Sequence, residues 1–179
     1  MGIRASSTCE LIFEDCIVPK ENLVGELGKG FKYAMMTLDG GRIGIAAQAL
    51  GIAEGAIEET VKYVQERKQF GRRISQFQNT QFELAQMQAN TEAAKLLVYQ
   101  AACAKDDHEA FSHKAAMAKL VASRNAVDVT CRCLQLYGGY GYTKDYPIER
   151  MMRDAKITEI YEGTSEVQMM VIAGWMGVK

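Results

Sequence analysis

Proline is almost absent from this 179-residue sequence, occurring only at Pro19 and Pro147. A proline inside a helix removes a hydrogen bond and clashes with the preceding turn, so the long interval between these two is free to be helical. Histidine is as scarce: His108 and His113 flank a polar break, which is poor geometry for a metal pair. Cysteine is present in an odd number, five, with no C-x-x-C pair, which argues against a disulfide framework and for a reducing compartment. Cys131 and Cys133 stand two apart and would diverge around a helix, so no metal site is expected. Charge of one sign is also missing. A net charge of −1 gives neither an acidic tail nor a basic surface on the scale that nucleic acid requires. The longest uncharged runs, such as 43–53, are too short to cross a bilayer, and no basic-plus-apolar leader opens the chain. A single domain, soluble and intracellular, is the expectation.

What the sequence does have is helical periodicity. Residues 1–25 differ from the rest: Cys9-Glu10-Leu11-Ile12-Phe13-Glu14 alternates between apolar and polar, which predicts a strand closed by a turn at Asp15 to Pro19. One strand is not a sheet, so its partners are expected in another copy or in another part of a longer protein. From Gly30 the period changes. Phe31, Met35, Leu38, Arg42, Ile45, Ala49, Ile52 and Ala56 follow steps of four and three, predicting a helix over 30–68 with Gly71 as its left-handed stop. Gly40 and Gly41 lie inside that pattern at a cost of about 1 kcal/mol each against alanine, so either something approaches the backbone there or the helix bends. Phe77, Leu84, Met87, Thr91, Ala94, Val98 and Ala101 predict a second helix over 76–106. Ala116, Leu120, Ser123, Val127, Thr130, Leu134 and Tyr137 predict a third over 112–137, stopped by Gly138-Gly139. Short helices are expected over 148–156 and 165–176. The predicted fold class is all-α: an up-down-up-down four-helix bundle over 26–179, preceded by a short β-strand remnant over 1–25.

Four stretches could carry chemistry. Glu162 precedes Gly163 and the helix-start residues Thr164 and Ser165, and Ser165-x-x-Gln168 has capping-box spacing. A carboxylate beside a helix N-terminus can face an anionic ligand group; a capped helix with a solvated glutamate accounts for the same residues. Glu66-Arg67-Lys68-Gln69-Phe70-Gly71-Arg72-Arg73 gathers four cations and an aromatic. These either complement a helix C-terminus or clamp a phosphate, with Arg as bidentate donor and Phe70 as stacking face. Gln135-Leu136-Tyr137-Gly138-Gly139-Tyr140-Gly141 follows a helix rather than a strand, so it is no Rossmann fingerprint. It ends a helix, or lets its backbone touch a ligand. Arg42 falls on the apolar stripe and needs a partner, either a carboxylate such as Asp39 or an anionic ligand. The methionines near the end (Met169, Met170, Met176) read as packing material.

Taken together, Glu14 to Pro19, Asp39-Gly40-Gly41-Arg42, Glu66 to Gly71, Gln135 to Gly139 and Tyr161 to Gln168 resemble the C-terminal part of the acyl-CoA dehydrogenases, closest to the short-chain, butyryl-CoA type. The resemblance covers nearly the whole chain. It implies that residues 1–25 are the end of a middle β domain and that residues 26–179 are the C-terminal helical domain. It also implies a flavoprotein using FAD, which α,β-desaturates short-chain acyl-CoA and hands electrons to electron-transfer flavoprotein.

By the same resemblance Glu162 is the catalytic base, and its backbone N–H donates to the thioester carbonyl. A closed pocket that excludes water raises a carboxylate's pKa toward neutrality, which suits a general base. Some relatives carry the base just before the arginine matching Arg42; Gly41 stands there and cannot serve. The resemblance makes Asp39, Gly40, Gly41, Arg42 and Gly163 substrate contacts. It makes Arg67, Phe70 and Gln78 contacts to the pyrophosphate and adenosine half of FAD, delivered from a neighbouring subunit. Gln135, Leu136, Tyr137, Gly138, Gly139, Thr164, Ser165 and Glu166 are its further FAD contacts. A homo-oligomer, a dimer of dimers, is implied, in a bacterial cytoplasm or a mitochondrial matrix. Arg73 stands where many relatives have proline, and the chain closes on an apolar, glycine-rich finish, Gly174 to Lys179. With half the flavin site elsewhere, the isolated chain is expected to be inactive. The competing readings are a non-catalytic helical oligomerisation module and an acyl-CoA oxidase-like flavoprotein.

Overall fold

A computed structural model describes residues 1–178; Lys179, the last residue of the apolar finish, lies outside the described residues. Among the described residues, five α-helices account for most of the length: α1 (Gly30–Glu66), α2 (Gln78–Asp106), α3 (Ser112–Tyr137), α4 (Ile148–Ile157) and α5 (Ser165–Trp175). The only sheet among the described residues is a two-residue antiparallel pair, β1 (Lys68–Gln69) and β2 (Arg72–Arg73).

Side-chain contacts fix the directions of the helices. Gly40, near the start of α1, faces Lys105 at the end of α2, so these two run antiparallel. Arg132 late in α3 pairs with Glu83 early in α2 at 2.6 Å, which turns α3 back. Lys119 meets the residue chain just before α5, and His113 stacks on Trp175 at the end of α5 with centroids 4.4 Å apart, so α5 runs down α3. The expected up-down-up-down bundle is thereby formed by α1, α2, α3 and α5, with α4 an added short helix on α3.

The core is built from small side chains. Ala46, Ala49, Ala53 and Ala56 of α1 and Ala118, Ala122 and Ala126 of α3 are fully buried, and small residues at a contact let two helices approach closely. At the far end the rings of Tyr63 and Tyr137 stack at 4.0 Å, and each hydroxyl donates to a backbone carbonyl of the opposite helix: Tyr63 to Tyr137 at 3.2 Å, Tyr137 to Glu59 at 3.0 Å.

Three expectations are corrected. Cys9 to Glu14 forms no strand; Leu11, Ile12 and Phe13 are exposed and outside regular secondary structure, because no partner strand is there to take their backbone groups. Gly71 does not cap α1, which ends at Glu66; instead Phe70 (φ +53°) and Gly71 (φ +77°) form the two-residue turn of the β1–β2 hairpin, where consecutive left-handed residues are required. The buried face of α1 also differs from the expected stripe. Phe31 is 79% exposed, whereas Ala46, Ala53, Ile57, Thr60 and Val64 are buried. A strict seven-residue spacing drifts around a straight helix, and the close alanine seam decides which side turns inward.

Candidate active site

The loop joining α4 to α5 is held at both ends. Thr158 is fully buried and donates its hydroxyl to Ala155 at 2.7 Å, and the Ser165 N–H donates to the Glu159 carbonyl at 3.0 Å. Between them Glu162 (φ +55°) and Gly163 (φ +89°) are both left-handed. A non-glycine residue in that region is uncommon and costs energy, so the surroundings must hold it there. They do so through the carbonyls. Gln168 Nε2 donates to Glu162 O at 3.1 Å and to Gly163 O at 2.8 Å, and Lys119 Nζ donates to Gly163 O at 2.7 Å. Both Gln168 and Lys119 are fully buried.

This backbone turn sends the Glu162 carboxylate toward α1. A Cβ built on Gly41 would stand 2.6 Å from Glu162 Oε2, so the missing side chain of Gly41 makes the room in which the carboxylate sits. Glu162 Oε2 is buried and has no hydrogen-bond partner. The expected capping box is not formed. Thr164 is the N-cap, accepting from Val167 N–H at 3.4 Å, and Gln168 is drawn to the inward-turned carbonyls of the loop instead of to a cap N–H. Ser165 Oγ and Gln168 Oε1 are left buried without partners.

Arg42, one residue beyond Gly41, has the carboxylate partner that its buried position demands: Asp39, at 2.5 Å, which also accepts from Ser112 Oγ at 3.0 Å. Arg42 Nε nevertheless stays buried and unpartnered. Gly40 faces the Lys105 ammonium, with a built Cβ 3.3 Å from its nitrogen. Asp39, Gly40, Gly41, Arg42, Glu162 and Gly163 are therefore brought to one end of the bundle, with Thr164, Ser165 and Glu166 beside them. Lys119 belongs to the same cluster and has no counterpart among the sequence-based candidates. Burial pushes its ammonium down to about 8; Glu159 opposes that, Arg42 adds to it, and Glu162 and Glu166 oppose it. The signal was present in the register. Lys119 lies four residues after Ala115 and three before Ala122, on the alanine face of α3.

The remaining candidates gather elsewhere. Arg67, Gln135, Leu136, Tyr137, Gly138 and Gly139 line an open hollow of about 540 Å³ together with Tyr63, Ile74 and Tyr140. The Arg67 guanidinium lies 4.8 Å from the Tyr140 ring centroid, and Phe70 is 92% exposed on the hairpin turn. Gln78 is exposed at the first residue of α2. Nothing lies within 4 Å of a Cβ built on Gly138 or Gly139, so their backbone faces open space. Arg42 lies within α1 and Arg67 directly follows its last residue, so at about 1.5 Å per residue the two stand about 37 Å apart along the helix axis.

The acyl-CoA dehydrogenase C-terminal domain model matches residues 28–177. The chain belongs to the acyl-CoA dehydrogenase family. It is 63% identical over 174 residues to the short-chain-specific acyl-CoA dehydrogenase of Clostridium acetobutylicum, covering 97% of this chain and 46% of that protein. It is 50% identical over 176 residues to a subunit of the caffeyl-CoA reductase–Etf complex of Acetobacterium woodii, covering 98% and 46%. Among solved structures it matches butyryl-CoA dehydrogenase from Megasphaera elsdenii with a TM-score of 0.91 and 57% identity, over 92% of this chain and 43% of that one. The chain thus spans less than half the length of the relatives it matches.

The chemistry of the two clusters can be set against a flavin dinucleotide. The open Gly138-Gly139 backbone and Arg67 beside an aromatic ring suit a phosphate and a flat heterocycle. The orphaned Ser165 Oγ and Gln168 Oε1 supply polar atoms at the start of α5. No helix among the described residues is long and apolar enough to cross a membrane, and no group of three or more potential metal ligands occurs among them.

Proposed function

We propose that this chain is the C-terminal helical domain of an FAD-dependent, short-chain acyl-CoA dehydrogenase in which Glu162 abstracts the α-proton of the acyl thioester. The observation that carries this reading is Glu162 Oε2: a buried carboxylate oxygen without a partner, aimed into the space left by Gly41. A buried acceptor left unpaired is costly, so its natural partner is a ligand that delivers a proton. The left-handed backbone fixes where that oxygen points, and the Glu162 N–H is suited to the thioester carbonyl, where charge develops as the proton leaves. Asp39 orients Arg42 beside the acyl-CoA, and Gly41 leaves the room for the Glu162 carboxylate that meets it. Bound FAD supplies the hydride acceptor for the β-carbon.

The Arg67 cluster lies about 37 Å along the α1 axis from Arg42, at whose end of the bundle Thr164, Ser165 and Glu166 are the other flavin contacts. The Arg67, Phe70, Gln78 and Gln135 to Gly139 group is therefore read as serving the flavin of a second copy, which makes the active assembly a homo-oligomer, with electron-transfer flavoprotein as the electron acceptor. In the full-length flavoprotein, butyryl-CoA should bleach the flavin absorbance, and Glu162→Gln should leave it unchanged on adding substrate. Normal bleaching in that variant would remove Glu162 from the role of base.

A further inference from the structure

Lys119 is a fully buried ammonium that the proposed chemistry does not use. It extends from the first third of α3, a helix whose neighbouring buried positions are alanines, serine and valine, and ends at a single hydrogen-bonded acceptor, the Gly163 carbonyl at 2.7 Å. An ammonium can donate three hydrogen bonds, and burying it is costly unless it is paired. Space-filling alone would favour an apolar side chain at this position. What the site offers in return is negative potential. The Gly163 carbonyl is turned inward by two consecutive left-handed residues, and Glu159 (itself paired with Lys156 at 2.5 Å), Glu162 and Glu166 favour the charged ammonium, while Arg42 from α1 opposes it.

From this geometry we infer that Lys119 is the positioning residue of Glu162: its ammonium and the Gln168 amide together grip the Gly163 carbonyl and hold the left-handed turn that aims the carboxylate at Gly41. Gln168 alone spans both loop carbonyls, at 3.1 and 2.8 Å, but as a neutral donor. The charge-assisted bond from Lys119 is the stronger of the two. The Glu162 carboxylate in turn favours the charged form of Lys119, which couples the ammonium to the group it positions. This role rests on Glu162 being the base, whereas the grip on the loop stands without it.

Two measurements on the 179-residue chain test the grip without any flavin. In the first, amide hydrogen exchange is followed by NMR at pH 7 in wild type, Lys119→Met and Lys119→Gln. Exchange of the hydrogen-bonded loop amides of Tyr161 and Ser165 is expected to rise about tenfold or more in both variants, while the α3 amides over 115–129 keep their protection, since breaking a charged hydrogen bond opens the turn locally. Equal protection of Tyr161 and Ser165 in all three chains would overturn the proposal. In the second, the Lys119 side-chain carbon next to the ammonium is titrated by NMR in wild type and in Glu162→Gln, a near-isosteric change that does not depend on replacing the lysine. The Lys119 midpoint is expected to fall when the carboxylate is removed; an unchanged midpoint overturns the coupling even if the methionine variant fails to fold. Should both results hold while full-length Glu162→Gln still bleaches its flavin, the base assignment fails and the grip remains.

Discussion

At the scale of single residues, Gly41 and Gly163 are both glycines for different reasons, and their alanine variants should separate. At Gly41 the added methyl would meet only the end of the Glu162 side chain, at 2.6 Å from Oε2, and a carboxylate can swing aside. Gly41→Ala should therefore keep or raise stability, by up to about 1 kcal/mol from helix propensity. The displaced carboxylate should lower kcat of the full-length enzyme by about a hundredfold, because an ångström of misplacement is enough. Thermal unfolding and steady-state kinetics on the same sample check this; retained activity would place the acting oxygen elsewhere. At Gly163 (φ +89°) an alanine is strained by its backbone and meets Gln168 Nε2 at 2.9 Å, so that variant should lose about 1–2 kcal/mol of stability as well. Lys119 adds a pH signature. Its folded-state value is depressed to about 8 from 10.5, so between those values the unfolded chain binds a proton that the folded chain does not. The penalty for burying the charge is complete below about pH 8 and is relieved as pH rises toward 10.5. Cys133, pushed up to about 11 by burial, changes in the opposite sense, so the comparison must be between chains. Relative to wild type, Lys119→Met should be more favoured at pH 7.5 than at pH 10 in urea unfolding. A pH-independent difference would mean that the lysine is not buried as a titrating group.

At the scale of elements, the small-residue seam between α1 and α3 makes a test independent of function. Ala53 is fully buried, and Ala53→Leu should overpack the seam and cost about 1–3 kcal/mol, measurable by urea unfolding. The same seam explains what the sequence could and could not reveal. The faces of α2 and much of α3 were legible, because Met87, Thr91, Ala94, Val98 and Ala101, and Ala116, Ser123, Thr130 and Tyr137, are buried as their spacing predicts. The face of α1 was not, because alanines at the closest contact carry less hydrophobic signal than Phe31 or Met35, which end exposed. Lys119 was missed for a related reason. A lysine in a helix reads as solvated, and only the three-dimensional meeting of α3 with the 162–163 turn supplies its acceptor. Gly71 shows the converse. Its left-handed conformation was anticipated, but whether a glycine ends a helix or turns a hairpin depends on pairing between Lys68 and Arg73 that no local rule contains.

At the scale of the whole molecule, the proposed function gives one chain two half-sites too far apart to serve one flavin. The carboxylate end holds Glu162 and Gly41, the other end holds Arg67 and the open Gly138-Gly139 backbone, and about 37 Å of α1 lies between them. If each flavin draws one half from each of two copies, mutations at the two ends should complement each other. Full-length Glu162→Gln should lack activity because no base is present at any site, and full-length Arg67→Ala should bind its flavin weakly at every site. In a mixed dimer, one site pairs the wild-type Glu162 end of one copy with the wild-type Arg67 end of the other, while the second site carries both defects. Random assembly by a two-fold interface therefore leaves about a quarter of all sites intact. Co-refolding the two variants should restore activity to about that level, with none in the separate variants, whereas tightly bound flavin should fill about half of all sites in the mixture. Sites contained within one chain would give no recovery at any mixing ratio, because every copy would carry its own lesion.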